Sequence, residues 1–227
     1  MNELTLKTIA RELETEPPEA ILRWALNKFG PDVALATGFG AEGCVLIQLL
    51  SSVSKNARIF YLDTDLLFPE TYELRAQLET RYGVRIEQRV APLSLRAQAH
   101  QYGERLWERE PNLCCHLRKV QPLQEVLAGL RAWITAIRRE QTPARASVGI
   151  IERDRNFGLI KINPLATWSE REVWNYIKDH DIPYNPLYDN GYASIGCTPC
   201  TTMIQIGEDA RAGRWRGLEK TECGLHQ

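Results

Sequence analysis

The chain has 227 residues, 44% of them hydrophobic, enough for one sizeable core, as a single domain or a domain with an ordered extension. Its 28 Lys and Arg against 29 Asp and Glu leave a formal net charge of -1, so there is no global basic field to argue for nucleic-acid or membrane-surface binding. The N-terminus MNELTLKTIARELETE lacks the apolar core of a signal peptide and no apolar run reaches spanning length. A cytoplasmic location is therefore expected, where closely spaced cysteines are more often metal ligands or redox catalysts than structural disulfides.

In chain order, Leu4, Leu6, Ile9 and Leu13 recur at helical spacing, and Pro17-Pro18 opens a second helical pattern that ends at Gly30. Short apolar runs follow at Val33–Ala36 and Ile59–Leu62, each leading through a polar loop into a helical pattern; Val84–Ile86 and Ala132–Thr135 repeat the theme. Such alternation predicts an α/β fold, a mostly parallel sheet with helices on both faces. Its ligands are expected beyond the carboxyl ends of the strands, at Thr37 to Glu42, Asp63 to Phe68 and Ala136 to Thr142. After the runs Val148–Ile151 and Leu159–Ile162, a helix is expected from Ser169, with Glu172 completing a capping box. From Pro183 the chain is rich in Pro, Gly, Tyr and Cys with weak periodicity. The expected organisation is an α/β nucleotide-binding domain over 1–182 and an irregular C-terminal extension over 183–227.

Three post-strand loops carry candidate chemistry. In Thr37-Gly38-Phe39-Gly40-Ala41-Glu42 the glycines free the backbone to turn N–H groups toward a phosphate, with a helix start behind them, although a glycine-rich turn is as often structural. Asp63 and its neighbours either bond a ribose or form an Asx turn, and locally the turn is favoured. Arg138 and Arg139 offer planar forks to sulfate or phosphate oxygens; paired arginines are also a common solvated patch.

The six cysteines say more. Cys114-Cys115, followed by Arg118 and Lys119, and Cys197-Thr198-Pro199-Cys200 supply four thiols in two distant pairs. A C-C pair facing C-x-x-C is an unusual zinc pattern, and an iron-sulfur cube accommodates it better because each iron takes one thiol; on the residues alone both stay open. A thioredoxin-like couple stands behind both, since that motif starts a helix after a strand. Cys223, near the chain end, has Lys220 and His226 to lower its pKa and Glu222 to oppose them, with Arg211, Arg214 and Arg216 upstream; a free mobile thiol is the bland alternative. Cys44, among Val45, Leu46 and Ile47, reads as a buried small hydrophobe.

Taken together, TGFGAE at Thr37, LDTDLLFPETY at Leu62, CCHLRKVQPL at Cys114, AWITAIRREQ at Ala132, KINPLATW at Lys161, YNPLYDNGYASIGCTPCT at Tyr184, RAGRW at Arg211 and KTECGLH at Lys220 resemble the assimilatory adenylyl-sulfate reductases. These are the iron-sulfur branch of the phosphoadenylyl-sulfate reductase family, and the match runs from about Pro18 to the end. The resemblance implies an adenine nucleotide α-hydrolase-like fold and a 4Fe-4S cluster on Cys114, Cys115, Cys197 and Cys200. It also implies thioredoxin-dependent reduction of adenylyl sulfate to sulfite and AMP, with Cys223 as nucleophile and an S-sulfocysteine intermediate. On that basis Lys119 and Arg138 join Cys223 as catalytic candidates, and Thr37, Gly38, Phe39, Gly40, Asp63, Arg211 and Arg214 as substrate-binding ones. No nucleic-acid or membrane partner is implied, and homo-oligomer formation is left open. Where the family often has serine and aspartate, this chain has Thr37 and Gly43. The competing expectations are a phosphoadenylyl-sulfate reductase, an ATP pyrophosphatase of the same fold, whose usual S-G-G-x-D-S loop differs from T-G-F-G-A-E, and a non-catalytic four-cysteine metal module.

Overall fold

The structure, a computed structural model, describes residues 2–225. Asn2 caps α1 (Glu3–Leu13) by accepting from the Thr5 amide at 2.8 Å, and Pro18 supplies the first residue of α2 (Pro18–Phe29), where its missing N–H costs nothing. The chain then alternates through β1 (Val33–Thr37), α3 (Ala41–Val53), β2 (Arg58–Asp63), α4 (Pro69–Tyr82) and β3 (Ile86–Val90). Short helices α5 (Leu95–Tyr102), α6 (Leu106–Arg109) and α7 (Pro111–Cys115) follow, and a π-helical turn over His116–Val120 joins α7 to α8 (Gln121–Leu127). Next come β4 (Ala132–Ile134), β5 (Ile151–Arg153), β6 (Ile160–Ile162) and α9 (Glu170–Asp179), the last opened by the expected Ser169–Glu172 capping box.

The six strands form one sheet in the order β3-β2-β1-β4-β6-β5, parallel except for β5, which runs antiparallel to β6. Strand alternation divides its two faces. Leu35, Ile59 and Tyr61 face the larger core with α2, α3, α4 and α9, whereas Ala34, Phe60 and Trp133 face a smaller one closed by Leu123, Leu127 and Leu130 around α8. This is the α/β sheet with helices on both faces that the sequence predicts. No helix among the described residues is long and apolar enough to cross a membrane.

Two strands lie later than their apolar runs. Val84 belongs to the end of α4: Gly83 takes the left-handed conformation (φ 60°), and the Val84 amide returns to the Glu79 carbonyl at 3.3 Å. The strand proper begins at Ile86 and continues through Glu87, Gln88 and Arg89, which read as polar because β3 is a sheet edge. Similarly, Gly149 and Ile150 are held by Asn163, whose side chain donates to the Gly149 carbonyl at 2.8 Å and whose amide donates to the Ile150 carbonyl at 2.8 Å. Pairing therefore starts only at Ile151.

β1 lies between β2 and β4, so the connections leave it toward opposite sides and a crevice opens beyond the carboxyl ends of β1 and β4. All three expected ligand loops border that end of the sheet. Residues 183–225 contain no sheet strand and no α-helix; they have 3-10 turns at Pro186–Tyr188 and Thr198–Cys200 and isolated antiparallel bridges from Cys197 to Leu67 and from Thr201 to Arg214.

Candidate active site

The crevice, of about 210 Å³, is lined by Gly40, Ala41 and Glu42 on one wall and by Arg138, Gln141, Arg145 and Arg211 on the other. Its β1 loop turns differently from the expectation that the glycines provide the freedom. Phe39, not Gly38 or Gly40, takes the left-handed backbone (φ 58°), and its ring is buried edge-on against Tyr61 at 5.2 Å. The strain of a non-glycine residue there is offset by that burial and by the Phe39 amide donating to Thr37 Oγ1 at 3.1 Å. Gly40 is the N-cap of α3 and has no side chain to satisfy the helix start, which leaves first-turn amides for an anion. The Ala41 amide is already engaged by the Tyr188 hydroxyl at 3.2 Å.

Thr37 and Gly43 are one steric unit. A Cβ at position 43 would lie 2.7 Å from Thr37 Oγ1, so the hydroxyl occupies the space a side chain there would need. Gly43→Ala is expected to destabilise the fold by about 1–3 kcal/mol through overpacking. In a Thr37→Ala background the same change is expected to cost markedly less; denaturant unfolding of the double-mutant cycle measures this, and additive costs would exclude the coupling.

Arg138 is almost wholly buried, and its Nε donates to Glu42 Oε1 at 2.7 Å while Nη1 reaches the Trp168 carbonyl at 3.3 Å. Removing either partner of so dry a pair leaves a charge uncompensated, at about 3–5 kcal/mol. Arg138 thus shapes the crevice wall before it serves any ligand. Arg139 points elsewhere, to the Val148 carbonyl at 2.8 Å and to Glu14 at 2.6 Å. Asp63 is also occupied: its carboxylate accepts from the Asp65 amide (2.9 Å), the Tyr72 hydroxyl (2.8 Å) and Gln88 (2.6 Å). That is the Asx turn, with the carboxylate buried and used by the fold.

The cysteine pairs converge. The turn at Cys197 docks on the loop after β2, where the Thr198 amide donates to the Leu66 carbonyl at 2.7 Å and Thr64 Oγ1 lies 3.2 Å from Cys197 Sγ. Cys114 and Cys115 are buried at the end of α7, and all six cysteines are free. Cys114, Cys115 and Cys197 each act electrostatically on others of the set, and all three act on Cys200. Burial pushes Cys114 up to about 11 and Cys200 up to about 12, with the neighbouring thiols adding to the effect, and burial raises Cys115 too. Cys197 departs from this pattern: burial opposes its ionisation, but Lys119, the Thr64 hydroxyl and Arg214 outweigh it and hold its pKa below the ordinary value. Among the described residues, no group of three or more His, Cys, Asp or Glu side chains closes on a single-ion site.

Lys119 projects from the π-helical turn into this group. Burial and Arg214 would lower its pKa, yet Cys197, Cys223 and Cys115 together raise it above the ordinary lysine value. Arg118, by contrast, is buried and structural, bonding the Leu93 carbonyl and Asp65 at 3.1 Å each.

The tail folds back over the same place. Cys223 is half-buried and acts on Cys115 and Lys119, while Leu225 packs beside the smaller core. Trp215, buried with a left-handed backbone (φ 48°), is surrounded by Arg214 at 4.5 Å, Lys220 at 5.2 Å and Arg211 at 5.9 Å. Glu222, expected to act on the thiol, is paired with Arg145 and Arg211. Arg145 escaped the sequence reading, because its partner lies 77 residues away and nothing local marks it. His226, expected beside Cys223, lies outside the described residues.

The sequence profile of the Phosphoadenosine phosphosulfate reductase domain matches residues 32–203. A relative from Salinibacter ruber, described as Adenosine 5'-phosphosulfate reductase, is 49% identical over 222 residues, covering 97% of this chain and 88% of its own. The crystal structure of phosphoadenylyl-sulfate (PAPS) reductase from Candida auris, a phosphate complex, superposes with a TM-score of 0.78 at 32% identity, covering 89% of this chain and 98% of that one. Candida glabrata FMN adenylyltransferase shares the fold alone, with a TM-score of 0.60 at 16% identity over 85% of this chain and 64% of its own.

Proposed function

The chain belongs to the phosphoadenosine phosphosulfate reductase family, and on that footing we propose that it reduces adenylyl sulfate to sulfite and AMP in assimilatory sulfate reduction, with thioredoxin as reductant. The observation that carries this reading is the position of Cys223, a free half-buried thiol close enough to Lys119 and Cys115 to act on both, while Glu222 beside it is paired with the arginines of the crevice. The adenylate is assigned to the start of α3, and the sulfo-phosphate to Lys119, Arg145, Arg211 and Arg214.

Cys223 thiolate attacks the sulfur of the sulfo group, a Cys223 Sγ–S bond forms, the S–O bond to phosphate breaks, and AMP departs with the bonding pair. Charge concentrates on sulfonate and phosphate oxygens, so the guanidiniums and Lys119 act chiefly as preorganised stabilisers of that charge. A thioredoxin thiolate then attacks Cys223 Sγ and expels sulfite, and its second thiol resolves the mixed disulfide. The two electrons that take sulfur from sulfonate to sulfite come from the dithiol.

The donor set of Cys114, Cys115, Cys197 and Cys200 fits a 4Fe-4S cluster. Four free thiols from two distant segments gather where burial opposes their ionisation in the absence of a cation, and a cube, wider than one ion, takes one thiol per iron. When bound, such a cluster supplies a charged anchor that joins α7 to residues 183–225, the extension we treat as a separate unit from 1–182. The same reading puts the enzyme in the cytoplasm, with thioredoxin as its protein partner and neither nucleic acid nor membrane.

Sulfite release from adenylyl sulfate and from its 3'-phosphorylated analogue, with iron measured on the same sample, tests the proposal. Adenylyl sulfate is expected to be the better substrate; preference for the analogue, which the Candida auris relative's description favours, would reassign the chain within the family. Gly196 provides a finer check on the site. A Cβ there would overlap the Arg214 guanidinium, the flexible end of a side chain that would have to shift. Gly196→Ala is expected to raise KM for adenylyl sulfate by about 3- to 10-fold with little change in Tm, since a bidentate oxyanion contact is displaced and no core is opened.

A further inference from the structure

The turn Asn185-Pro186-Leu187-Tyr188 fixes one phenol beside the start of α3. Asn185 is buried; its side chain accepts from the Leu187 amide at 3.0 Å and donates to Thr71 Oγ1 of α4 at 3.2 Å, and its carbonyl accepts from the Tyr188 amide at 3.1 Å. The Tyr188 ring then stands edge-on to Trp174 of α9, with centroids 5.2 Å apart, and both side chains line the crevice with Gly40, Ala41 and Glu42. The hydroxyl so placed accepts from the Ala41 amide at 3.2 Å and, among the described residues, donates to none. An oxygen that accepts a backbone N–H still has its own proton to give. Burial, and after it the negative charge of Glu42, pushes the Tyr188 pKa above the ordinary tyrosine value, so at neutral pH the group is an uncharged donor. A donor without an acceptor therefore stands at the edge of the crevice.

We propose that Tyr188 is a substrate-positioning residue whose hydroxyl donates to a non-bridging phosphate oxygen of the adenylate, standing in for the Ala41 amide that it covers. The inference rests on the function proposed above, which puts the adenylate at the start of α3. Gly40 brings no side chain to cap that helix, and the first-turn amides carry the positive end of its dipole. Tyr188 takes up one of those amides and passes its polarity on: the N–H polarises the phenol oxygen, and the O–H is offered to the ligand one hydroxyl farther out. The phosphate oxygen is thereby seated about 2.7 Å beyond the hydroxyl and not on the Ala41 amide itself. A neutral donor suits the place. Glu42 already holds the Arg138 guanidinium at 2.7 Å, and another cation there would compete for that carboxylate, whereas a phenol adds a hydrogen bond and no charge. The non-bridging oxygens are charged in substrate, transition state and AMP alike, so the bond serves binding more than the chemical step.

Tyr188→Phe tests this, because it keeps the ring against Trp174 and removes only the oxygen. Iron-loaded parent and variant are compared by equilibrium binding of AMP and of adenosine, and by steady-state sulfite release from adenylyl sulfate with thioredoxin. The variant is expected to bind AMP about 10-fold more weakly and to show a similar rise in KM for adenylyl sulfate, the loss of one hydrogen bond to a charged group. Adenosine, which has no phosphate, is expected to bind as before, and kcat to stay within about 2-fold. A role confined to bracing the start of α3 would instead move adenosine affinity, kcat and Tm together. Tyr184→Phe is the control: its hydroxyl bonds Asp189, its ring also packs on Trp174, at 5.3 Å, and it does not line the crevice, so AMP binding is expected to match the parent. Unchanged AMP affinity in Tyr188→Phe, an equal loss for adenosine, a loss seen with adenylyl sulfate and absent with AMP, or a matching loss in Tyr184→Phe would overturn the inference and leave the proposed function standing. Folded, iron-loaded parent that binds neither AMP nor adenylyl sulfate overturns both.

Discussion

Cys223→Ser is expected to lower sulfite release from adenylyl sulfate by at least about three orders of magnitude while leaving nucleotide binding intact. A serine hydroxyl does not ionise at neutral pH and is a poor nucleophile toward sulfur, and no other cysteine replaces it. Cys44 is sealed in the larger core, where burial drives its pKa far up, and the remaining four thiols are those assigned above to the proposed cluster. Two measurements separate this chemistry from damage to the fold. With substrate labelled in the sulfo group and reductant omitted, the parent protein traps label on Cys223 and the variant traps none; equilibrium binding of AMP is the same for both. Retained turnover in the variant would remove Cys223 from the nucleophile's role.

Cys200→Ala is expected to have a comparable effect on activity by another route. The Cys200 carbonyl accepts the Trp215 amide at 3.1 Å, and Trp215 in turn carries Arg211, Arg214 and Lys220 around its ring. If Cys200 holds an iron of the proposed cluster, its loss loosens the turn that seats this indole, and the cations and the tail lose their placement with the metal. Iron content and visible absorbance should fall, and hydrogen exchange should rise over residues 197–225 with little change in β1 to β4, whose core contains none of the four ligands. Full turnover from the iron-free variant would show that the metal has no part in the active arrangement.

The fold was readable because burial is periodic. Runs such as Val33–Ala36 and Ile59–Leu62 are buried on both faces of the sheet, and the 3.6-residue recurrence of α2 and α9 follows from packing one side of each helix. Where an element is half-exposed the signal weakens, and so β3, with Glu87, Gln88 and Arg89 at a sheet edge, was placed two residues early. In the site, the spacing of the paired thiols singled out residues that the fold does bring near one another, Cys114 and Cys115 on α7 beside Cys197 and Cys200. Charged residues gave no such guidance. Arg138 and Arg139 are neighbours in sequence, yet one braces the crevice through Glu42 and the other secures α1 through Glu14. Arg145 acts on a partner that only the folded chain brings near, and Phe39 takes the backbone role that the glycines beside it suggested for themselves.

The helix between Pro111 and Leu127 contains one residue more than a regular spiral allows. The amide of Gln121 reaches back five positions to the His116 carbonyl, so everything ahead of that turn is rotated against everything behind it. A chain shortened by a single residue between His116 and Val120 would regain ordinary winding and a locally better helix. Its ammonium would then swing about 100° away from the sulfurs or the sulfurs away from it. The placement of Lys119 among the thiols depends on an inserted length of backbone as much as on the identity of any side chain.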